Sequence, residues 1–454
     1  MSTPFSFGPM LMFSALGVML LTGALLRARI RFFQNYLIPS CLIGGLLGLI
    51  LTSAGVIPVS TSDLENAAYH FFNISFISIG LTAARPSAPQ GDKKDKPLKG
   101  ALWMALTQSA IFPLQAICGG VLVAGFALAG IELFPTFGFF IPLGFEEGPG
   151  QALSFGRVWE GIGFDHAATI GLTFATIGFF FSFFVGVPLV NWGIRKGLSS
   201  SGSHEIPPHV LTGIIPPGRQ RESAGQLSFH SGNIDTLAFH SALIGLIYLL
   251  TYLVIRSLGS LLPADVASML WAFFFILGLG LAYGFKWLMT RTGMDHVLDA
   301  GIQRRITGWS VDFLIVATIM AIQLTVVWQY LLPIGVMSVC GGVITTLVVV
   351  FLGNRLWSHH LERTAAVYGA VTGTVSCGLL LLRIVDPEFK TPVSVEIAIM
   401  NVFAIPVIGL CTVLVNGPIW WQWPLWLTIA VFGAMMSAAL ALIKVFKLAG
   451  KPKV

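Results

Sequence analysis

Residues 140–160 read Phe140-Ile141-Pro142-Leu143-Gly144-Phe145-Glu146-Glu147-Gly148-Pro149-Gly150-Gln151-Ala152-Leu153-Ser154-Phe155-Gly156-Arg157-Val158-Trp159-Glu160. Two adjacent carboxylates stand among glycines and a proline inside an otherwise apolar chain. In a soluble protein such a stretch is an ordinary loop. In a bilayer, broken backbone and neighbouring charges are tolerated only where protein or trapped water surrounds them, so the stretch marks a site. It reads as the tip of a re-entrant hairpin.

The composition around it requires a membrane. Hydrophobic residues make up 55% of the chain and charged residues 10%, whereas a soluble domain carries about 25% charged residues. The net charge of +6 does not point to nucleic acid, because the basic residues fall in short loops between apolar segments, as orientation in a bilayer requires. Cys41, Cys118, Cys340, Cys377 and Cys411 lie in apolar or hairpin segments without Cys-x-x-Cys spacing, so neither a disulfide framework nor a zinc site is indicated. No Lys or Arg precedes the first apolar run and no cleavage site follows it, so a cleaved signal peptide is not expected.

Segments able to cross about 30 Å of hydrocarbon as helices fall at 9–26, 37–57, 67–84, 100–130 and 167–194, then at 237–255, 266–289, 309–324, 329–352, 392–415 and 424–442. With the N-terminus outside, Arg27, Arg29, Arg31, Arg85, Lys93, Lys94, Lys96, Lys99, Arg195, Lys196, Arg219 and Arg221 fall inside. So do Lys286, Arg291, Arg304, Arg305, Arg355, Arg363, Lys390 and the tail lysines Lys444, Lys447, Lys451 and Lys453, while Arg256 stays in an external loop. This bias holds only if 134–161 and 365–384 enter and leave on one side. The expected fold is therefore an all-α polytopic membrane protein of two inverted five-span repeats, each with a re-entrant helical hairpin, plus one extra C-terminal span. The first repeat covers 1–194 (hairpin 134–161), a cytoplasmic linker 195–236, the second repeat 237–417 (hairpin 365–384), and the extra span with its basic tail 418–454. The expected location is the plasma membrane, multi-pass, N-terminus outside and C-terminus cytoplasmic, with Trp420, Trp421, Trp423 and Trp426 as an external interfacial anchor.

The halves also match in sequence. Placing Gly144 on Gly369 and Gly148 on Gly373 puts Leu189-Val190-Asn191 onto Leu414-Val415-Asn416, and a slip of one residue puts Arg157 on Arg383 and Glu160 on Asp386. Inverted repeats that pair two broken segments are an arrangement of secondary transporters, whose sites lie near the midplane where the interruptions meet.

With these features the chain resembles the sodium/glutamate symporter (ESS) family of bacterial secondary carriers. The resemblance rests on Ile38-Pro39 with Gly44-Gly45-Leu46-Leu47, on Ile77-Ser78-Ile79-Gly80-Leu81, and on Gly148-Pro149-Gly150-Gln151-Ala152. It continues through Ala175-Thr176-Ile177-Gly178, Gly186-Val187-Pro188, Ile405-Pro406-Val407-Ile408-Gly409 and Val415-Asn416. It implies a homodimer, inverted repeats with re-entrant hairpins, and sodium-coupled uptake of glutamate or a related small carboxylate or amino acid by movement of a transport domain against a scaffold. Where that family carries Gly-Gly-His-Gly-Thr-Gly, this chain has Phe145-Glu146-Glu147-Gly148-Pro149-Gly150, with Glu147 at the His position. The second hairpin has Gly369 to Gly378 in place of the family's Gly-His-Cys-Gly-Phe-Gly-Leu-Gly run, and the span at 424–442 has no counterpart in the family core.

A hairpin tip ends one short helix and starts another, presenting carbonyls to a cation and N–H groups to an anion. On this basis Gly144, Gly148, Gly150, Gln151, Arg157, Gly373, Thr374, Ser376 and Arg383 are the candidate solute-binding residues. Glu146, Glu147, Thr372, Thr176, Asn401 and Asp312 are the candidate ligands of a coupling ion, sodium or a proton. Each has a structural alternative: glycines and hydroxyls also pack helices, and Arg157/Glu160 and Arg383/Asp386 at i, i+3 also make clamps at the membrane surface. A charge at bilayer depth costs at least about 2.5 kcal/mol, so buried Glu146 and Glu147 need sodium, a proton, a hairpin arginine or a cationic solute group. No phosphate loop, nucleotide fingerprint, His-Glu-x-x-His or nucleophile elbow is present, and no cofactor is expected. The reading is a cation-coupled symporter rather than an enzyme. An intramembrane enzyme using Glu146 and Glu147 as acid and base, and a channel, are the alternatives.

Overall fold

The computed structural model describes residues 5, 7–82, 97–200, 208–218, 223–230, 232–387 and 390–450. Arg85, Lys93, Lys94, Lys96, Arg219, Arg221, Lys451 and Lys453 of the orientation count lie outside the described residues. Among the described residues the chain is all helical, without strands. The principal helices of the first half are α1 (Gly8–Arg29), α2 (Ser40–Ser53), α3 (Thr61–Leu81), α4 (Pro97–Leu128), the short pair α5 (Phe140–Phe145) and α6 (Pro149–Glu160), and α7 (Ala167–Arg195). The second half has α8 (Thr236–Gly259), α9 (Phe274–Arg291), α10 (Ala300–Met320), α11 (Leu331–Gly353), the short pair α12 (His360–Thr372) and α13 (Val375–Val385), and α14 (Val393–Leu414). A final helix, α15 (Leu425–Val445), closes the chain.

Seven of these helices, α1, α4, α7, α8, α11, α14 and α15, are long and apolar enough to cross a membrane, and the protein is membrane-embedded and multi-pass. The other four expected spans are helical but differ from the simple apolar span. Helix α2 has 14 residues, about 21 Å long. Helices α3, α9 and α10 interrupt their apolar faces with polar side chains. Their starts are fixed locally: Ser60 and Asp299 cap α3 and α10 by accepting from Asp63 N and Ile302 N, and Asp235 caps α8.

The broken pairs follow from their residues. Gly148, at φ +84°, reverses the backbone between α5 and α6 in a conformation that side chains rarely adopt, and Pro149 opens α6 where its missing N–H costs nothing. In the second pair the arms run His360–Thr372 and Val375–Val385, five residues upstream of the expected start at 365. The reason is that Arg363, read from sequence as a loop charge, is fully buried and partnered, as is its neighbour Glu362.

The helices assort into two groups. Helices α1, α2, α3, α8, α9 and α10 pack chiefly on one another, with α3 against α10 at the centre. Helices α4, α7, α11 and α14 pack around the two short pairs, and α15 packs on α4. The groups meet chiefly where α3 and α10 pass α6. Lipid gives helices little hydrophobic reason to associate, so close backbone approach matters. A Cβ added to Gly23 of α1 would lie 2.0 Å from Ser40 O, and one added to Gly44 of α2 would lie 2.2 Å from Met19 O.

Candidate functional site

The two breaks meet. A Cβ placed on Gly148 would lie 2.9 Å from Thr374 Cγ2 and 3.4 Å from Gly373 O, so the turn of one pair touches the turn of the other. Helix α7 packs against both. Gly144 of α5 packs on Ala175 N, and Gly178 packs on both Phe145 and Thr372 O. Four residues on, in a π-helical turn at Phe181–Val185, Ser182 shares a 2.7 Å hydrogen bond with Thr372 Oγ1. Thr372 also donates to Tyr368 O at 2.7 Å. Such turns widen a helix locally and often mark working positions.

Glu146 and Glu147 sit at this meeting point. Gln151, fully buried one turn into α6, donates from Nε2 to Glu147 Oε2 at 2.5 Å. Glu146 is 5% exposed. Gln108 of α4 reaches its carboxylate, yet neither Glu146 oxygen completes a hydrogen bond of normal geometry. Cys411 of α14 lies within electrostatic range of both carboxylates. Among the described residues neither glutamate makes an ion pair.

Apart from Thr374, whose methyl is part of the contact, the remaining predicted residues separate from this centre. Gly150 packs on the ring of Phe72. Thr374 points its hydroxyl at Cys377 Sγ, 3.8 Å away, while Ser376 and Arg383 are exposed. Thr176 and Asn401 bond within their own helices, to Leu172 O and Ile397 O. Asp312 is exposed on α10 beside Cys41. Arg157 and Arg383 each lie eight residues into the second arm, about 12 Å from the tip. Arg157 pairs with Glu65 of α3 and with Glu160 at 2.9 Å, and Glu160 also accepts from Ala168 N at 3.1 Å. Asp386 accepts from Lys390 N, Thr391 N and Thr391 Oγ1.

Beside Arg157 is a recess of about 370 Å³ lined by Glu65, Asn66, Tyr69, Ser154, Arg157 and Trp271, at the junction of the helix groups. Phe72, the ring against which Gly150 packs, clusters with Phe76 and Phe275 at tilted angles and centroid distances of 4.9 and 5.3 Å. Glu65, Phe72, Gln108 and Gln115 escaped the sequence reading. A single polar or aromatic residue in an apolar helix carries no local signal, although Gln108 and Gln115, two turns apart on one face of α4, form a weak one. Comparison with protein-family models, with curated proteins and with solved structures finds no match to this chain.

Proposed function

We propose that this protein is a secondary active transporter that couples sodium entry to uptake of a small carboxylate or amino acid. One observation carries the reading: two broken helices, one in each half of the chain, touch at their turns inside one helix group, with the buried Glu146 and the partly buried Glu147 at the contact. Interrupted helices at bilayer depth are typical of solute and ion sites in such carriers. In this reading each pair is a re-entrant hairpin, and the halves are inverted repeats. Their third helices support that, since α3 and α10 both have 21 residues and superposing their ends places Asn73 on Asp312.

The grouping of helices supports a motion of one group against the other. The group holding both hairpins is the moving body, and α1–α3 with α8–α10 form the frame, so the tips are presented alternately to either side of the plasma membrane. Glu146 and Glu147 travel with the moving body and bind the coupling cation. The N-terminus lies outside and the assembly is a homodimer. Sodium and glutamate as defaults come from the family resemblance, and the carboxylate pair is what supports a cation.

Purified protein in liposomes tests this. Sodium-gradient-driven accumulation of a labelled carboxylate or amino acid supports symport. Accumulation driven by a proton gradient alone would replace sodium by protons, and conductance without accumulation would sink the carrier reading.

A further inference from the structure

The two glutamines on one face of α4 both leave a buried Oε1 without a donor, but they differ in where their amides go. Gln115 is a tie: its Nε2 donates to Val371 O of the second hairpin and to Thr345 Oγ1 of α11, both at 3.0 Å. Gln108, two turns earlier, is 6% exposed, and its Oε1 has no donor. The same is true of Gln151, fully buried, whose Nε2 holds Glu147 while its Oε1 is unmatched. With the two oxygens of Glu146, this makes four buried acceptors without donors at the first tip. A buried acceptor without a partner costs free energy, so such groups call for a missing partner. A proton bridges only two oxygens and would leave the others as they are. A hard cation takes oxygen ligands from several groups at once.

We infer that Gln108 is a ligand of the coupling cation, completing with Glu146, Glu147 and Gln151 an all-oxygen site for one dehydrated monovalent cation. Glu147 already accepts from the Gln151 amide, whereas neither Glu146 oxygen completes a hydrogen bond of normal geometry, so Glu146 is the carboxylate that most needs a cation beside it. The site belongs wholly to α4 and the first hairpin, so it moves as one unit. This assignment rests on the carrier reading and adds a residue and a ligand set to it.

The test is a sodium titration of the thermal unfolding midpoint of the purified full-length protein in choline buffer, with lithium, potassium and calcium as comparison ions. Sodium should raise the midpoint of the native protein. Gln108→Ala should raise the half-saturating sodium concentration by about 10–100-fold, the range found when groups supporting a metal site are removed. Gln108→Asn, which keeps the amide on a shorter stem, serves if the alanine variant does not fold. Gln115→Ala should lower the midpoint at every sodium concentration without moving half-saturation. Unchanged half-saturation in the Gln108 variants overturns the role of Gln108. Stabilisation by calcium in place of sodium overturns the monovalent assignment. No stabilisation by any cation, with proton-driven uptake intact in liposomes, removes the site and leaves the carrier reading standing. Failure of solute accumulation under every gradient removes the carrier reading itself.

Discussion

Arg157, on the second arm of the first hairpin, is ion-paired with Glu65 of α3, and the pair joins the two helix groups. Glu65 is 4% exposed and Arg157 is 47% exposed, so the partners do not have equal stakes. Removing the arginine strands a buried carboxylate. Removing the carboxylate leaves a half-exposed guanidinium that still has Glu160 at 2.9 Å. Arg157→Ala should therefore destabilise by on the order of 2 kcal/mol, below the ~3–5 kcal/mol of a fully buried pair, and Glu65→Gln by less than about 1 kcal/mol. Thermal unfolding of both variants measures this. If the groups slide past each other during transport the pair must open, so Glu65→Gln should also shift the balance between outward- and inward-facing forms, read by side-specific labelling of a cysteine placed at Ser62.

What the sequence disclosed was set by how locally each feature is encoded. The break at Glu146 to Pro149 is visible because Gly-Pro after two acids cannot continue an apolar helix. The break after Thr372 is visible as a run of glycine and hydroxyl residues. The partners of those breaks come from distant positions, and pairing leaves no local mark. Arg363 illustrates this: among apolar residues near a predicted loop it counts as a surface cation, and only its Glu396 partner, 33 residues away, brings it inside. Gln108 and Glu65 were invisible for the same reason. The two-group arrangement, a property of packing between distant helices, has no local sequence signature.

Gly148 tests the contact between the tips. Its φ of +84° costs an L side chain about 1–2 kcal/mol, and the new methyl would meet Thr374 Cγ2 at 2.9 Å. Gly148→Ala should lose stability by about that amount and most solute uptake. Trimming the contact in Gly148→Ala/Thr374→Ser should restore part of the uptake but little of the stability, because the backbone strain remains. Uptake rates normalised to folded protein decide it. Full activity in the single variant would show that the tips need no close approach.

The second hairpin has its own anchor. Arg363 and Glu396, both 0% exposed, form a bidentate pair at 2.8 and 2.7 Å, and Arg363 Nη1 also donates to Ser358 O at 2.7 Å. Gly100 of α4 packs against the Glu396 carboxylate. Glu396→Gln leaves the guanidinium buried without a counter-charge and should cost about 3–5 kcal/mol. Replacing both partners, Arg363→Met with Glu396→Leu, should recover most of that loss, since the pair then leaves no charge behind. Denaturation in detergent measures stability. The double variant should keep its solute KM, because the pair lies at the base of the hairpin and not at its tip.

Glu146 offers the sharpest separation of stability from function. Its two oxygens lack donors at 5% exposure, an arrangement that raises the energy of the empty protein whenever the carboxylate is ionised. Glu146→Gln removes that charge with little change of shape. In choline buffer at pH 8 the variant should unfold at a higher temperature than the native protein, by the equivalent of about 1–3 kcal/mol, the cost of an unsatisfied buried group. Sodium should invert the order. A cation bound only by the folded native protein adds about 2.7 kcal/mol at a hundred times its Kd, and the variant lacks the charge that binds it. The two melting curves should therefore cross as sodium rises, while sodium-driven uptake by the variant is lost at all concentrations. A variant that melts lower than the native protein in choline would mean that Glu146 has a structural partner after all. A variant that melts higher but still transports would place the coupling cation on Glu147.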